Sequence, residues 1–511
     1  MFTATETEST TRIAVPYVDV HETHTGIVFL VGDRALKAKK PVLTDFLDFR
    51  TPQQRERACR REVELNSRLS PDSYFGVAHL TDPAGGPAEP LVVMRRYHDE
   101  ERLAAMVGRD SDESLRRVLD AIAAVLARFH AHAERGRQIS AQGETAAVER
   151  RWRDNLVELE RYAARPGMGI SPESVALVRR LAEQFLAGRA ALFARRREED
   201  RIVDGHGDLL ADDIFWVDGK PALLDCLEFD DNLRYVDCVD DAAFLAMDLE
   251  FLGRTDLGGY FLERYAAHAA DAPPPALTDF YIAYRAGVRA KVDCVRVSQG
   301  TPAAADDAAR HLAIAARHLE AGTVRLALVG GNPGTGKSTV ARNLAEHVGA
   351  QIISTDDVRR ELRDTGAIGG DAGVLDSGLY SPNNVATVYE VVLHRARRLL
   401  AGGRSVILDG TWLDPRNRAE ARRLAGRTHA AMVELLCSAT PDTAADRITT
   451  RPRGSSEVTP EIAAVLAARR EESGAGWPTA HRLDTSRPLG LGVQEALDVW
   501  RRATQAAGRG V

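Results

Sequence analysis

The chain has 511 residues, of which 44% are hydrophobic and 28% charged, and its formal net charge is −7. This is the composition of a globular protein with ample material for cores, and the acidic balance excludes a general nucleic-acid or membrane binder, which would need a basic surface. No uncharged apolar run approaches the ~18 residues that cross a bilayer, and the polar N-terminus lacks the apolar segment of a signal peptide. We expect a soluble, cytoplasmic protein of about two to four domains.

The first half of the chain begins with two predicted strands in residues 25–42, joined by a Gly-Asp turn at 32–33. A helix follows, with Thr51 as its cap and Pro52 at its first position. The apolar run at 89–97 is typical of a short buried strand. These elements together predict a small sheet with one helix beside it.

Helical periodicity dominates residues 111–200 and returns in residues 237–321, with a break near Pro274. Between these helical regions, residues 201–225 predict short strands and loops. After residue 324, apolar strands alternate with amphipathic helices, which favours a parallel sheet covered by helices. We therefore expect the main domain boundary just before this alternation.

The cysteines are scattered along the chain without a CxxC pair, and the histidines show no HxxxH or HExxH spacing. We expect reduced thiols and infer no zinc site. The cysteines are Cys59, Cys226, Cys238, Cys294 and Cys437.

A phosphate-binding motif, G-x-x-x-x-G-K-S, occupies residues 331–338, directly after an apolar strand and directly before a helix. The glycines allow backbone N–H groups to surround phosphates, and the helix N-terminus adds its positive dipole end. Lys337 is expected to reach the β- and γ-phosphates, and Ser338 to bind Mg²⁺. The candidate ATP-binding residues are Gly331, Gly334, Thr335, Gly336, Lys337, Ser338 and Thr339.

Two acidic residues follow at predicted strand ends, where open α/β sheets bind their ligands. Asp356 is suited to orienting the acceptor as a base, and Asp409 sits in a Walker-B-like position but could equally meet the acceptor. Arg359, one helical turn after Asp356, could hold an anionic acceptor. Further along, Arg447 and Arg451 are candidates for a mobile lid that closes on the phosphoryl group.

Residues 322–511 resemble the small P-loop kinases of the adenylate-kinase-like group. The segment STDDVRREL (354–362) is similar to their SxDxxR segment, found in polynucleotide 5′-kinases, gluconate kinases and zeta-toxin-like kinases. The resemblance implies phosphoryl transfer from ATP to a hydroxyl of a small molecule.

A second acidic constellation lies upstream, in the loop HGDLLADDIF (206–215) and the strand after it. Asp208 and Asp213 are five residues apart, and Asp225 follows the strand. Phosphoryl transfer needs one carboxylate at the acceptor hydroxyl and further oxygen ligands for Mg²⁺. The spacing therefore predicts a kinase catalytic loop.

This loop resembles the HGDxxxxN segment of the aminoglycoside phosphotransferase family, which has a protein-kinase-like fold. The resemblance implies that Asp208 is the catalytic aspartate, Asp225 a metal ligand and His206 a support of the loop. Position 213 carries Asp where the family has Asn, so Asp213 adds negative charge that calls for a second cation or a raised pKa. Asp241, further on, is expected to be structural.

The ATP lysine of that family has two candidates here, because Lys37 and Lys39 point to the same face of one predicted strand. We favour Lys37, although neither propensity nor spacing separates the two firmly. Glu62, on the next helix, matches the glutamate that pairs with this lysine in the family. No G-x-G-x-x-G precedes Lys37, so a polar loop at 21–26 would have to cover the phosphates.

Taken whole, the chain resembles bacterial two-domain proteins that join an aminoglycoside-phosphotransferase-like domain to a P-loop kinase or ATPase. The implied fold class is an α+β protein-kinase-like domain followed by an α/β P-loop domain with a parallel sheet. The predicted parts are a flexible N-terminus (1–20), a kinase-like domain (21–321) with a small lobe (about 21–100) and a helical large lobe (about 101–321), and a P-loop domain (322–511) with a lid (about 447–470).

Three functional hypotheses remain open. The first is a bifunctional kinase that uses ATP and Mg²⁺ to phosphorylate small-molecule hydroxyls, such as those of sugars, amino sugars or nucleosides. The second is a P-loop ATPase regulated by a kinase-like sensor domain without catalysis. The third, a polynucleotide 5′-kinase, would need a basic groove near Arg359 and Arg418. Nucleic acid is otherwise not an expected partner.

Overall fold

The structure is a computed structural model that describes residues 18–22, 26–43, 48–81, 83–371, 376–450, 463, 465, 468 and 476–506. Its first sheet has five antiparallel strands in the order β1-β2-β3-β5-β4. The predicted hairpin is confirmed as β2 and β3, with Gly32 in the left-handed conformation that its tight turn requires. The strands are β1 (Val18–Glu22), β2 (Gly26–Val31), β3 (Arg34–Lys39), β4 (Tyr74–Leu80) and β5 (Glu89–Arg95). Strands β1 and β4 did not follow from the sequence.

Helix α1 (Pro52–Ser67) begins where its capping signals predict. The backbone N–H of Gln54 donates to the Thr51 hydroxyl oxygen at 3.3 Å, which satisfies one of the free N–H groups of the first turn. The helix packs on β4 and β5 and buries Cys59 and Glu62. It therefore brings a carboxylate to the face of the sheet.

The middle of the chain is helical with two short antiparallel strand pairs, β6 with β9 and β7 with β8. The predicted helical regions and the strands between them are confirmed. The elements are α2 (Leu103–Val107), α3 (Asp112–His132), α4 (Arg137–Ala141), α5 (Thr145–Ala163), α6 (Pro172–Gly188), α7 (Ala190–Glu198), β6 (Ile202–Asp204), β7 (Ile214–Val217), β8 (Lys220–Leu223), α8 (Asp231–Arg234), β9 (Tyr235–Asp237), α9 (Cys238–Phe251), α10 (Thr255–His268), α11 (Pro275–Ser298) and α12 (Ala304–Ala321).

The C-terminal sheet has five parallel strands in the order β11-β12-β10-β13-β14, as the alternating pattern predicts. Helices cover it, and their apolar side chains form one core with the strands. The fold class predicted from the sequence is thus confirmed. The elements are β10 (Arg325–Gly330), α13 (Lys337–Val348), β11 (Gln351–Ser354), α14 (Thr355–Asp364), α15 (Pro382–Ala401), β12 (Val406–Asp409), α16 (Pro415–Arg427), β13 (Ala431–Ser438), α17 (Pro441–Thr450), β14 (His481–Asp484) and α18 (Leu489–Ala506). Across the described ranges, each helix is too short or too polar to cross a membrane.

The chain forms two compact units that do not coincide with the predicted boundary at 321/322. Unit 1 comprises residues 1–142 and 200–272, and unit 2 comprises residues 143–199 and 273–511. Buried arginines explain the difference. Arg189, after α6, donates to the carbonyl oxygen of Leu400 at 2.7 Å, and Arg325 in β10 donates to that of Trp500 at 2.9 Å and that of Glu320 at 2.9 Å. The boundary between the two domains stays a prediction.

All five cysteines are buried and free. Burial raises the pKa of the thiols of Cys59, Cys226 and Cys437 to about 12, and a thiol is reactive only as the thiolate.

We predict negligible labelling of the folded protein by a thiol reagent at about pH 8 and labelling of all five thiols after denaturation. Rapid labelling of even one thiol in the folded protein would contradict this core structure.

Candidate active sites in the two units

The loop that starts at His206, Gly207 and Asp208, here called the HGD loop, is anchored in unit 1 by one buried carboxylate, that of Asp241. The backbone N–H groups of His206 and Gly207 donate to the two oxygens of Asp241 at 2.7 and 2.8 Å. His130 on α3 contacts the same carboxylate through Nε2 at 2.9 Å. These bonds fix the backbone immediately before Asp208, so a buried Asp, as expected for a structural residue, positions the candidate catalytic one.

The electrostatics of this anchor favour the charged carboxylate. Burial alone would raise the pKa of Asp241. The hydrogen bond and charge of His130, together with the ring and the backbone N–H of His206, outweigh burial and hold this pKa well below its usual range. Burial also lowers the pKa of His206. The anchor is therefore a charged acceptor with three donors around it.

We predict that Asp241→Asn destabilises unit 1 by about 3 kcal/mol, because one of these donors would face an amide nitrogen inside the protein. A carboxylate whose folded-state pKa is lowered stabilises the fold above its unfolded pKa of about 3.9. This stabilisation should be lost as the pH falls below about 4. Thermal unfolding measures the loss. Asp256→Asn, which breaks an exposed pair with Arg254, is the matched control and should change little. Equal midpoints for the two variants would refute the anchoring role.

Asp208, Asp213 and Asp225 come together in unit 1, although two loops carry them. The backbone N–H of Leu224 donates to the carbonyl oxygen of Asp213 at 2.9 Å, which ties the loops together. Burial, and then the neighbouring carboxylates of Asp225 and Asp208, raise the pKa of Asp213 well above its usual range. Carboxylate oxygens are the ligands that Mg²⁺ prefers, although among the described residues no group of three or more His, Cys, Asp or Glu side chains is arranged to hold a metal ion. The assignments of Asp213 and Asp225 as ligands remain predictions.

Both candidate lysines of β3 contact Glu62. The Lys37 ammonium lies 2.9 Å from one Glu62 oxygen, and the Lys39 ammonium lies 2.5 Å from the other. Lys37 also contacts Asp225 at 2.7 Å, and Lys39 contacts Glu228 at 2.5 Å. Burial works against the charge of Lys37, but the carboxylates of Asp225 and Glu62 outweigh it and raise its pKa well above its usual range. Lys37 is thus a cation beside the candidate metal ligand.

In unit 2, the phosphate-binding motif forms the predicted strand–loop–helix unit between β10 and α13. Gly334 and Gly336 adopt left-handed conformations, with φ of 81° and 76°. A side chain at Gly334 would also meet the carbonyl oxygen of Ala444 at 2.4 Å. The loop therefore requires glycine at these positions. Thr335 turns its hydroxyl back to the carbonyl oxygen of Asn332 at 2.7 Å, which braces the loop from inside.

Asp409 and Asp356 lie at the carboxyl ends of neighbouring strands and line one cavity with Lys337 and Ser338. Burial raises the pKa of Asp409, while Lys337 and a hydrogen bond with Ser338 oppose this shift. One Asp409 oxygen is buried with no hydrogen-bond partner in the part of the chain that the structure describes. An orphaned carboxylate oxygen beside the Ser338 hydroxyl fits the second shell of a Mg²⁺ ion.

Arg359 and Asp356 form an ion pair in the lining of this cavity. Arg359 contacts Asp356 at 2.6 Å, and its guanidinium lies over the ring of Tyr380, 4.7 Å from the centroid. The pair holds the Asp356 carboxylate in a fixed orientation in the first turn of α14. The predicted roles of Asp356 and Arg359 toward an acceptor stay predictions.

Arg447, at the end of α17, contacts the loop after β14 and reaches the phosphate loop. It donates to the carbonyl oxygen of Thr485 at 2.8 Å, and the Thr485 hydroxyl donates to the carbonyl oxygen of Thr335 at 2.8 Å. Gly336 lies close to the same guanidinium. Arg451 lies outside the described residues, as does most of the predicted lid.

Two large side chains after β12, Arg418 and Trp412, are buried. Arg418 is 5% exposed and donates to the carbonyl oxygens of Trp412 and Leu413 at 2.7 and 2.8 Å. Trp412 is fully buried and donates its indole N–H to the carbonyl oxygen of Leu408. The charge of Arg418 is therefore turned inward, whereas Arg359 lines the cavity of the phosphate loop, and the polynucleotide 5′-kinase stays a hypothesis.

Sequence reasoning missed several residues that shape these sites. Glu228 stands in an acidic run, LEFDD, that gives no hint of a lysine partner. His130 and Thr485 belong to no motif. Their partners, Asp241 and Thr335, are each more than a hundred residues away along the chain. The sequence predicts a structural role for Asp241, but not its hydrogen bonds with the backbone of the HGD loop. A fold was needed to bring these residues to their partners.

Comparisons with known proteins agree with this architecture. A family model described as an AAA domain matches residues 326–472, which include the phosphate loop, Asp356 and Asp409. A Mycobacterium tuberculosis protein, Rv2004c, is 62% identical over 488 residues, which cover 96% of this chain and 96% of the relative. The relative therefore carries both parts of the chain in the same order.

Solved structures match each part separately. A choline/ethanolamine kinase family protein from Mesorhizobium loti is 14% identical and covers 60% of this chain and 96% of its own, with a TM-score of 0.35. A sugar kinase from Janibacter sp. HTCC2649 is 17% identical and covers 35% of this chain and 98% of its own, with a TM-score of 0.28. Both TM-scores are low, so the fold assignment rests on strand order, site geometry and the family model.

Proposed function

This chain belongs to the same family as the Mycobacterium tuberculosis protein Rv2004c, and on that premise we propose that it is a phosphotransferase with two catalytic sites. Each site uses ATP and Mg²⁺ and transfers the γ-phosphoryl group to a hydroxyl of a small molecule. One site is the carboxylate and lysine cluster of unit 1, and the other is the phosphate loop of unit 2.

One observation carries this proposal. In both units a lysine lies beside aspartates at the ends of strands: Lys37 beside Asp225 in unit 1, and Lys337 beside Asp409 in unit 2. This combination provides a cation for the phosphates and oxygen donors for Mg²⁺. When bound, Mg²⁺ would neutralise charge on the transferred phosphoryl group and withdraw electrons from the leaving oxygen.

In unit 1, Asp208 is the residue that we assign to the acceptor. Its carboxylate would accept the proton of the acceptor hydroxyl as that oxygen bonds to the γ-phosphorus and the bond to the β-phosphate oxygen breaks, releasing ADP. The Asp241 anchor keeps Asp208 in place, and Lys37 would hold the phosphates. Asp213 and Asp225 are assigned to the metal side.

In unit 2, the acceptor side belongs to Asp356 and Arg359. The Asp356 carboxylate would accept the proton of the attacking hydroxyl, while the guanidinium of Arg359 fixes its orientation. Asp409 belongs to the metal side because it shares a hydrogen bond with Ser338. Lys337 and Arg447 would hold the phosphates from either side of the loop.

The acceptor class is small molecules, including sugars, amino sugars and nucleoside-like compounds. The inward orientation of Arg418 removes one cation that an oligonucleotide would use, although Arg360 and Arg487 remain at the rim of the same cavity. The alternative of a non-catalytic sensor in unit 1 is kept because Asp213 stands where the resembling kinases have Asn, which adds a negative charge beside Asp225 and Asp208.

The proposal is tested by following the label from γ-labelled ATP with the purified full-length chain and a panel of sugars, amino sugars, nucleosides and aminoglycosides. We expect label in at least one organic product. Label that appears only as inorganic phosphate, independent of every acceptor, would refute transfer and favour the regulated ATPase. A short oligonucleotide is included in the panel, and label transferred to it would instead favour a polynucleotide kinase.

A further inference from the structure

Two lysines and three carboxylates form a continuous chain of ion pairs in unit 1. Its order is Glu228, Lys39, Glu62, Lys37 and Asp225, with contacts of 2.5, 2.5, 2.9 and 2.7 Å. The two lysines alternate with one residue between them on β3, the central strand of the sheet, so both side chains lie on one face. The two ends of the chain, Asp225 and Glu228, belong to a single loop, which we call the Asp225 loop (residues 225–228).

The two ends of this chain of ion pairs differ in solvent exposure. The side chains of Lys39 and Glu62 are 2% and 0% exposed, and that of Glu228 is 13% exposed. The side chains of Lys37 and Asp225 are 15% and 46% exposed. Asp225 is the most exposed of the five side chains, and Lys37 is the lysine that contacts it. Both partners of Lys39, by contrast, are largely buried.

We propose that Lys39 is a second positioning lysine, which holds Glu62 and the Asp225 loop in place while Lys37 exchanges its contact with Asp225 for the phosphates of ATP. This inference rests on the proposed function of unit 1. In an arrangement with a single lysine, movement of Lys37 toward the phosphates would leave Glu62 as a buried carboxylate with a weakened partner. Here, Lys39 keeps one Glu62 oxygen paired throughout.

The same geometry separates the roles of the two lysines, which the sequence left open. Lys37 faces the candidate metal ligand and is the residue that binds nucleotide. Lys39 contacts Glu62 and reaches the Asp225 loop three residues further on, through Glu228. It therefore acts on the nucleotide only through the position of that loop.

The test measures Mg–ATP binding by titration calorimetry in full-length chains that also carry Lys337→Ala, which removes the phosphate loop as a competing site. Glu228→Ala cuts the link between Lys39 and the Asp225 loop but leaves Lys39 paired with Glu62, so the fold should be kept. We expect its Kd for ATP to rise about tenfold, with a thermal midpoint near that of the parent. Glu228→Gln keeps a hydrogen-bond acceptor and should recover much of the affinity.

Arg60→Met is the matched control, because it removes an exposed cation on α1 that pairs with Glu56. It should bind ATP as the parent does. Parent-like affinity in Glu228→Ala, or a loss that Glu228→Gln does not recover, would overturn the positioning role. A Lys337→Ala parent that binds no nucleotide would instead overturn the proposed function of unit 1 itself, and the inference with it.

Discussion

Lys337→Ala should lower phosphoryl transfer by the unit 2 site about a thousandfold, the size of loss seen when a preorganised charge at a transition state is removed. Lys337 is the first residue of α13 and lines the cavity with Ser338 and Asp409. Alanine keeps the helix, so the glycine conformations of the loop remain. What would be lost is the cation that we assign to the β- and γ-phosphates.

The measurement is the rate of labelled product for an acceptor of unit 2. Arg482→Ala is the control, since it removes one positive charge from an exposed position on β14 in the same unit. It should retain the rate of the wild type. A Lys337→Ala rate within a few-fold of wild type would contradict the assigned role.

Asp208→Asn should lower transfer by the unit 1 site by a similar factor, on the order of a thousandfold, the range of a lost general base. Asparagine has almost the same shape as aspartate, and Asp241 still accepts the backbone hydrogen bonds of the HGD loop. The change therefore removes a proton acceptor without moving the backbone. The fold of unit 1, followed by thermal unfolding, should not change.

Asp212→Asn is the matched control for this variant. Asp212 stands in the same loop, but its side chain is exposed and lies 3.7 Å from Arg102. It should leave turnover intact. Full activity of Asp208→Asn on every acceptor would show that unit 1 recognises a ligand without phosphorylating it, as in the sensor hypothesis.

The sequence predicted well what depends on neighbours along the chain. The β2–β3 turn follows from Gly32, and the start of α1 follows from Thr51 and Pro52. The phosphate loop follows from its glycines, whose left-handed conformations few other residues tolerate. Each of these signals acts within a few residues, so its meaning does not depend on the rest of the fold.

What depends on distant contacts could not be predicted. Lys37 and Lys39 have the same orientation along β3, and only Asp225 and Glu228, almost two hundred residues later, distinguish them. Helices α5 to α7 read as part of the kinase-like domain, yet buried contacts such as that of Arg189 group them with unit 2. Burial of Arg418 likewise depends on the loop at 412–413, which accepts its hydrogen bonds.

The central claim is that one chain holds two independent phosphotransfer sites. The most direct test is ATP consumption over the acceptor panel by wild type, Asp208→Asn and Lys337→Ala, run side by side. If the two sites are independent, one acceptor will support ATP consumption that is lost only in Asp208→Asn. Another acceptor will support ATP consumption that is lost only in Lys337→Ala. Loss of all turnover in Lys337→Ala, with none lost in Asp208→Asn, would contradict the claim and leave unit 2 as the only catalytic site.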